Sequence, residues 1–151
     1  MAKVQRAEET YYILDYEQTA IFLPKQETLF DDNFREGEII KVYISSIDKV
    51  SKDAQVVASR THPLFVKNVI EQEVEDVQDG IIEIVEVSRM PGFKTKISVR
   101  SKAQEVDPVG AIVGIKGSKI RQIMDALGGE RVDVIRHSDD IKELIAEALT
   151  P

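Results

Sequence analysis

The sequence predicts two small domains, an all-β barrel followed by an α+β domain. Three observations carry this. The hydrophobic pattern switches from the period of strands to that of helices at His62-Pro63. Before that point, turn residues cut the chain into short β-rich runs. Beyond it, a Gly114-Ile115-Lys116-Gly117 loop sits between two short helical patterns. The length agrees, since 151 residues make one domain or two small ones.

The first domain is expected over residues 1–62. Residues 11–14 and 19–23 are β-rich runs separated by the polar 15–18. Residues 38–47 alternate, with Ile40, Val42 and Ile44 on one face, and 55–59 closes the set. Turn residues fill the gaps at Asp31-Asp32-Asn33, Glu36-Gly37 and Ser51-Lys52-Asp53. The first strand is short, with only residues 3–6 available for it. Short strands at this spacing read as a small closed barrel, for which the OB fold is the natural candidate. Tyr11, Tyr12, Phe22 and Tyr43 lie on these strands. They serve either core packing or the stacking of bases.

The second domain is expected over 63–151. Residues 64–77 form a linking helix with Phe65, Val66, Val69, Ile70 and Val74 on one side. A strongly apolar strand, 81–88, turns at Pro91-Gly92 and returns as 94–100. The returning strand puts Thr95, Ile97 and Val99 on one face and Lys94, Lys96, Ser98 and Arg100 on the other. Two helices flank the glycine loop. The first is opened by Asp107 as N-cap and Pro108 as first helical residue. The second buries Ile120, Ile123, Met124 and Leu127 and stops at Gly128-Gly129. Residues 131–136 form a third strand. Ser138 or Asp139 caps a last helix carrying Ile141, Leu144, Ile145 and Ala148. The order α-β-β-α-α-β is that of the bacterial-type (type II) KH domain.

The loop is the candidate binding site. Two glycines, Gly114 and Gly117, let the main chain turn sharply and approach phosphates with no Cβ in the way. A helix opening at Ser118 points free N–H groups and its positive dipole end at the same place. Lys116, Lys119 and Arg121 add charge beside Ile115 in a loop expected to be exposed. This is how a KH module clamps a single-stranded backbone. A helical hairpin of purely structural use carries the same pattern. Residues 87–104 add Arg89, Lys94, Lys96, Arg100 and Lys102 with no acid, and 108–124 also lack acids. Lys94, Lys96 and Arg100 thus extend the candidate RNA-binding set. Lys49 lies on the barrel, away from this stripe. The net charge of −7 argues against broad nonspecific nucleic-acid binding. One basic stripe on an acidic chain is either a local binding track or a solvated face.

Other functions are excluded on residue grounds. No apolar run approaches a membrane span, and the N-terminus has no apolar signal region. Zero cysteines exclude disulfides and thiolate metal sites and fit a reducing cytoplasm. His137-Ser138-Asp139-Asp140 holds the residue types of a nucleophile set, but sequence neighbours seldom converge on one atom. The two histidines, His62 and His137, are too far apart in sequence for a zinc pattern. Asp31-Asp32-Asn33 lacks the spacing of a calcium loop. No catalytic residue, metal or cofactor is expected.

Four segments resemble one family: Ser59-Arg60-Thr61-His62-Pro63, Pro91-Gly92-Phe93-Lys94-Thr95-Lys96-Ile97, residues 106–120, and Asp133-Val134-Ile135 through Ser138-Asp139-Asp140. They are similar to the bacterial transcription termination/antitermination factor NusA. The resemblance covers the whole chain and is strongest from Ser59 onward. It implies an OB barrel followed by the first of two KH domains, in a noncatalytic protein that binds nascent single-stranded RNA and, as the full-length protein, RNA polymerase. It also implies that this chain is a monomeric RNA-binding fragment, because the family's N-terminal domain and second KH domain are not in it. Ile115 stands where the family commonly has proline. A polynucleotide phosphorylase-like ribonuclease also joins KH and OB modules, but with the KH module first.

Overall fold

A computed structural model describes residues 1–48 and 55–149. Lys49 and the turn expected at Ser51-Lys52-Asp53 lie outside the described residues. The chain divides into two compact units, Met1–Phe65 and Val66–Pro151.

In the first unit β1 (Ala2–Ala7), β2 (Tyr11–Tyr16) and β3 (Thr19–Pro24) form an antiparallel meander. Glu17 and Gln18 join β2 to β3, both at positive φ (48° and 65°). Two successive left-handed residues give the turn whose twist matches its flanking strands. β4 (Ile39–Ile40) pairs antiparallel with β1. After Lys41 and Val42 the same segment continues as β5 (Tyr43–Asp48), antiparallel to β6 (Gln55–Ser59). β6 in turn lies parallel to β3, with Ile21 opposite Val56. One segment therefore pairs toward both ends of the meander and closes the sheet, which is the OB-type closure the sequence predicts.

Inside the barrel Val4, Leu14, Leu23 and Ala58 are fully covered, joined by Tyr12, Ile21 and Ile40. The alternation expected over 38–47 holds only at its start. Ile40 is buried and Val42 half-buried, but Ile44 is exposed. The chain leaves strand geometry at Lys41-Val42, and a bulge falls between Ile44 and Ser46. Each event shifts the phase of a period-two pattern. The aromatic residues differ in depth and all pack on other rings. Tyr12 is core and meets Phe34 edge-on at 5.4 Å. Tyr11 pairs with Phe22 at 5.7 Å, both half-buried, and Tyr43 stacks on His62 at 4.6 Å.

The Ser59-Arg60-Thr61-His62 motif is a structural pin of this unit. Glu27 Oε2 accepts from the hydroxyls of Ser59 (2.7 Å) and Thr61 (2.6 Å). Hydrogen bonds from Thr61 and Ser59 hold the Glu27 carboxyl below its ordinary value. Arg60 is buried, donates to Asp32 at 2.7 Å and to the Lys41 carbonyl at 2.6 Å, and lies over the rings of Phe34 and Phe65.

The helix expected over 64–77 is two helices, α1 (Pro63–Glu73) and α2 (Glu75–Gln78). Val74 between them is extended (φ −121°, ψ 108°), a geometry that a β-branched residue takes at little cost. The short α2 then turns the chain through Gly80, at φ 78°, into the next strand. β7 (Ile82–Met90) and β8 (Lys94–Ser101) form a hairpin, and β9 (Arg131–Arg136) adds parallel to β8. α3 (Pro108–Val113) and α4 (Ser118–Ala126) pack on this sheet. Thr95, Ile97 and Val99 of β8 are fully buried with Ile112, Ile123 and Leu127, while Ile120 and Met124 are only half-buried.

α5 (Ile141–Leu149) differs from expectation in its cap. Its cap is Asp140, whose Oδ1 accepts from the Lys142 N–H at 2.9 Å; Ser138 instead bonds Glu143. On its apolar side Ile141 and Ile145 are exposed, while Leu144 and Ala148 are half-buried. His137 turns to the Ser98 hydroxyl at 3.2 Å, so His137 and Ser138 do not assemble into a nucleophile pair.

Candidate nucleic-acid interface

Asp107 builds the approach to the loop. Its Oδ1 accepts from the Val109 N–H at 3.2 Å and its carbonyl from Ala111 at 3.0 Å, fixing the start of α3. α3 ends at Gly114, whose φ of 76° and ψ of 175° are open only to glycine. A Cβ there would come within 2.9 Å of the Lys119 backbone nitrogen, so Gly114 lies flat against the first turn of α4. Lys116 (φ 54°, ψ 30°) and Gly117 (φ 73°, ψ 19°) are consecutive left-handed residues. For Lys116 that conformation costs about 1 kcal/mol or more. The Arg121 guanidinium offsets it by donating to the Lys116 carbonyl at 3.1 Å.

The result is a rigid corner with a particular face. Ile115 is 85% exposed at its tip. Lys116, Ser118, Lys119 and Arg121 are all exposed around it. Gly117 holds the N-cap position of α4 and has no side chain to accept the first-turn N–H groups. These donors, the helix dipole and three cations make the corner electropositive. One feature of its surroundings escaped sequence reasoning. Lys119 lines a groove with Glu73, Glu75 and Asp76, an acidic wall that weakens its pull on a phosphate. Nothing in linear spacing links residues 73–76 to residue 119.

The other expected residues are not brought to the loop. Lys94, Lys96 and Arg100 lie on the face of β8 opposite the buried Thr95, Ile97 and Val99. Lys96 Nζ donates to the Ala148 carbonyl of α5. Lys94 pairs with Asp133 at 3.1 Å and Arg100 with Glu83 at 2.9 Å. Arg100 holds the Glu83 carboxyl below its ordinary value. Burial pushes the Asp133 carboxyl up, but the Lys94 hydrogen bond and the Arg131 and Lys94 charges leave it lowered overall. Arg89 is no surface cation at all. It forms an ion pair with Glu130 at 3.1 Å, with neither side chain exposed. Arg89, Lys94, Lys96 and Arg100 thus all hold partners within the protein, three on one face of β8 and Arg89 in the core.

Among the described residues no helix is long and apolar enough to cross a membrane. The β8-α3-loop-α4-β9 unit with its glycine corner, preceded by a closed OB-type barrel, defines a KH-type module of the nucleic-acid-binding class. A family model described as the NusA-like first KH domain matches residues 60–137, just over half of the chain. This chain belongs to the NusA family. It is 40% identical over 148 residues to the transcription termination/antitermination protein NusA of Halalkalibacterium halodurans, covering 98% of this chain and 39% of that protein. The NusA of Bacillus subtilis is 37% identical over 148 residues, covering 98% of this chain and 40% of that protein. The NusA of Thermus thermophilus is 38% identical over 130 residues, covering 86% and 34%. The chain thus spans about two fifths of the length of the first two. These relatives are named for control of transcription and not for a reaction, in line with the noncatalytic reading of the sequence.

Proposed function

We propose that this chain binds single-stranded RNA through residues 114–121, as part of a transcription termination/antitermination factor acting on nascent RNA and RNA polymerase. The observation that carries the reading is the glycine corner. Left-handed Lys116 and Gly117 present the uncapped first turn of α4, with Ile115, Lys116, Lys119 and Arg121 exposed around it. Two glycines and a helix N-terminus suit phosphates, and the exposed Ile115 suits the apolar face of a sugar or base. Lys94, Lys96 and Arg100 contribute only by exchanging their present partners, so their share is smaller than that of the loop. The barrel and the KH domain are the reading's two domains, with the change at His62-Pro63.

Binding should be weak and salt-sensitive, since the chain carries −7 overall and Lys119 faces an acidic wall. With about three to five phosphates contacted, log K falls against log salt with a slope of roughly −2 to −3.5 for a single strand. A fluorescence anisotropy titration with an unstructured RNA at several salt concentrations measures this. An affinity independent of salt contradicts the phosphate-clamp reading.

A further inference from the structure

The tip of the β7–β8 hairpin is built to present something. Phe93 is 74% exposed and Met90 63% exposed, at the end of an otherwise well-packed hairpin. The turn beneath them is held rigidly. Gly92, at φ 81°, donates its N–H to Glu130 Oε1 at 2.7 Å, and Phe93 donates to the Met90 carbonyl at 3.0 Å. Arg131 donates its N–H to the Phe93 carbonyl at 3.1 Å, which ties the tip to the start of β9. Glu130 is itself fixed by Arg89 and by the Thr95 hydroxyl at 2.5 Å. A phenyl ring on such a brace binds without the usual loss of loop entropy.

Charge selects the ligand. Lys94 and Arg131 stand opposite each other in register beside Phe93, with side chains 49% and 63% exposed. They share one acid, Asp133, leaving a net positive charge at the tip. An aromatic face with cations beside it suits a base and its phosphate, and every base offers a π-face. The other strongly exposed phenylalanine, Phe30 at 99%, sits beside exposed Asp31, a setting that repels a phosphate chain. α4 runs from the glycine corner toward Gly128, Gly129 and Glu130, and Glu130 braces the tip. Its nine residues span about 13 Å. A short single strand covers that distance.

We infer that Phe93, with Lys94 and Arg131, forms a second subsite that stacks one nucleobase of a single strand held at residues 114–117. The inference rests on the RNA binding proposed above and extends it to a site outside the loop. The chain has no tryptophan, so Phe93→Trp introduces a single emitter at the tip. In the full chain, an unstructured RNA of about twelve nucleotides should quench the emission of Phe93→Trp and leave that of Phe30→Trp unchanged. Phe93→Ala should weaken binding of the same RNA about tenfold by anisotropy. It should leave a tetranucleotide, the length a KH clamp holds, unaffected. If the wild-type chain binds the longer RNA while Phe93→Trp emission and Phe93→Ala affinity do not change, the subsite is refuted and a protein partner becomes the better occupant of the tip. If the wild-type chain binds no RNA, the proposed function fails first and this inference with it.

Discussion

Both units stitch an exposed phenylalanine turn to their interior with an arginine–carboxylate pair, and the two pairs differ in depth. In the barrel, Asp32 accepts from Arg60 and from the Leu29 N–H at 2.8 Å, closing the turn that carries Phe30. The side chains of that pair are 7% and 9% exposed. In the KH unit, Glu130 accepts from Arg89, Gly92 and Thr95, and the side chains of the Arg89–Glu130 pair are not exposed at all. The first carboxylate belongs to the turn it supports. The second comes from 38 residues away and joins the hairpin to β9. The same device thus uses a carboxylate of its own turn, slightly exposed, in one unit, and a distant, fully covered one in the other.

Depth sets the expected cost of breaking each pair. Glu130→Ala takes the carboxylate away from a buried guanidinium, an amide and a buried hydroxyl. It should cost about 3–5 kcal/mol of stability in urea denaturation. Asp32→Ala should cost less, about 2 kcal/mol, because Arg60 keeps the Lys41 carbonyl and two aromatic rings. Equal losses would mean that burial is not what separates the two.

The next effect tests the corner. Gly114→Ala forces a Cβ toward the Lys119 nitrogen and a φ of 76°, and should cost about 1–3 kcal/mol. Lys116→Gly relieves a left-handed residue and should be neutral or stabilising by up to about 1 kcal/mol. Thermal melts of the pair should therefore move in opposite directions or leave Lys116→Gly unmoved.

The smallest effect belongs to the barrel. Glu27→Gln weakens two hydroxyl hydrogen bonds and should cost about 1 kcal/mol at neutral pH. The Glu27 carboxyl titrates below its ordinary 4.5 when folded, so its contribution is present above that value. It is lost as pH falls through the lower, folded value. Melts of wild type and Glu27→Gln should therefore converge once the pH has fallen below the folded value.

What the sequence made legible follows short-range chemistry. Asp107-Pro108, the two loop glycines and Gly128-Gly129 announce their roles because a cap, a left-handed residue and a helix stop are decided within four residues. The barrel's strands were legible for a similar reason. The bulge at Ile44–Ser46 was not, because a bulge is fixed by the partner strand. Nor was the fate of the basic run. Arg89 meets Glu130 across 41 positions and Lys96 meets Ala148 across 52, so counting charges along the chain could not separate core from surface. The apolar pattern of α5 was read correctly as a helix, but a pattern names a face and not what lies against it, and Ile141 and Ile145 are exposed.

The central claim is that the glycine corner holds the RNA, and one variant addresses it most directly. Ile115→Asp with Lys116→Asp removes a cation and sets two carboxylates before the first turn of α4. Both positions are exposed, and Asp tolerates the left-handed geometry at 116, so stability should change by no more than about 0.5 kcal/mol per site. Lys3→Asp, exposed on β1, is the charge-matched control for a single substitution. In anisotropy titrations with unstructured RNA, run beside circular dichroism melts, the double variant should lose binding at least tenfold while Lys3→Asp keeps most of it. A folded double variant that binds RNA as tightly as wild type would contradict the account.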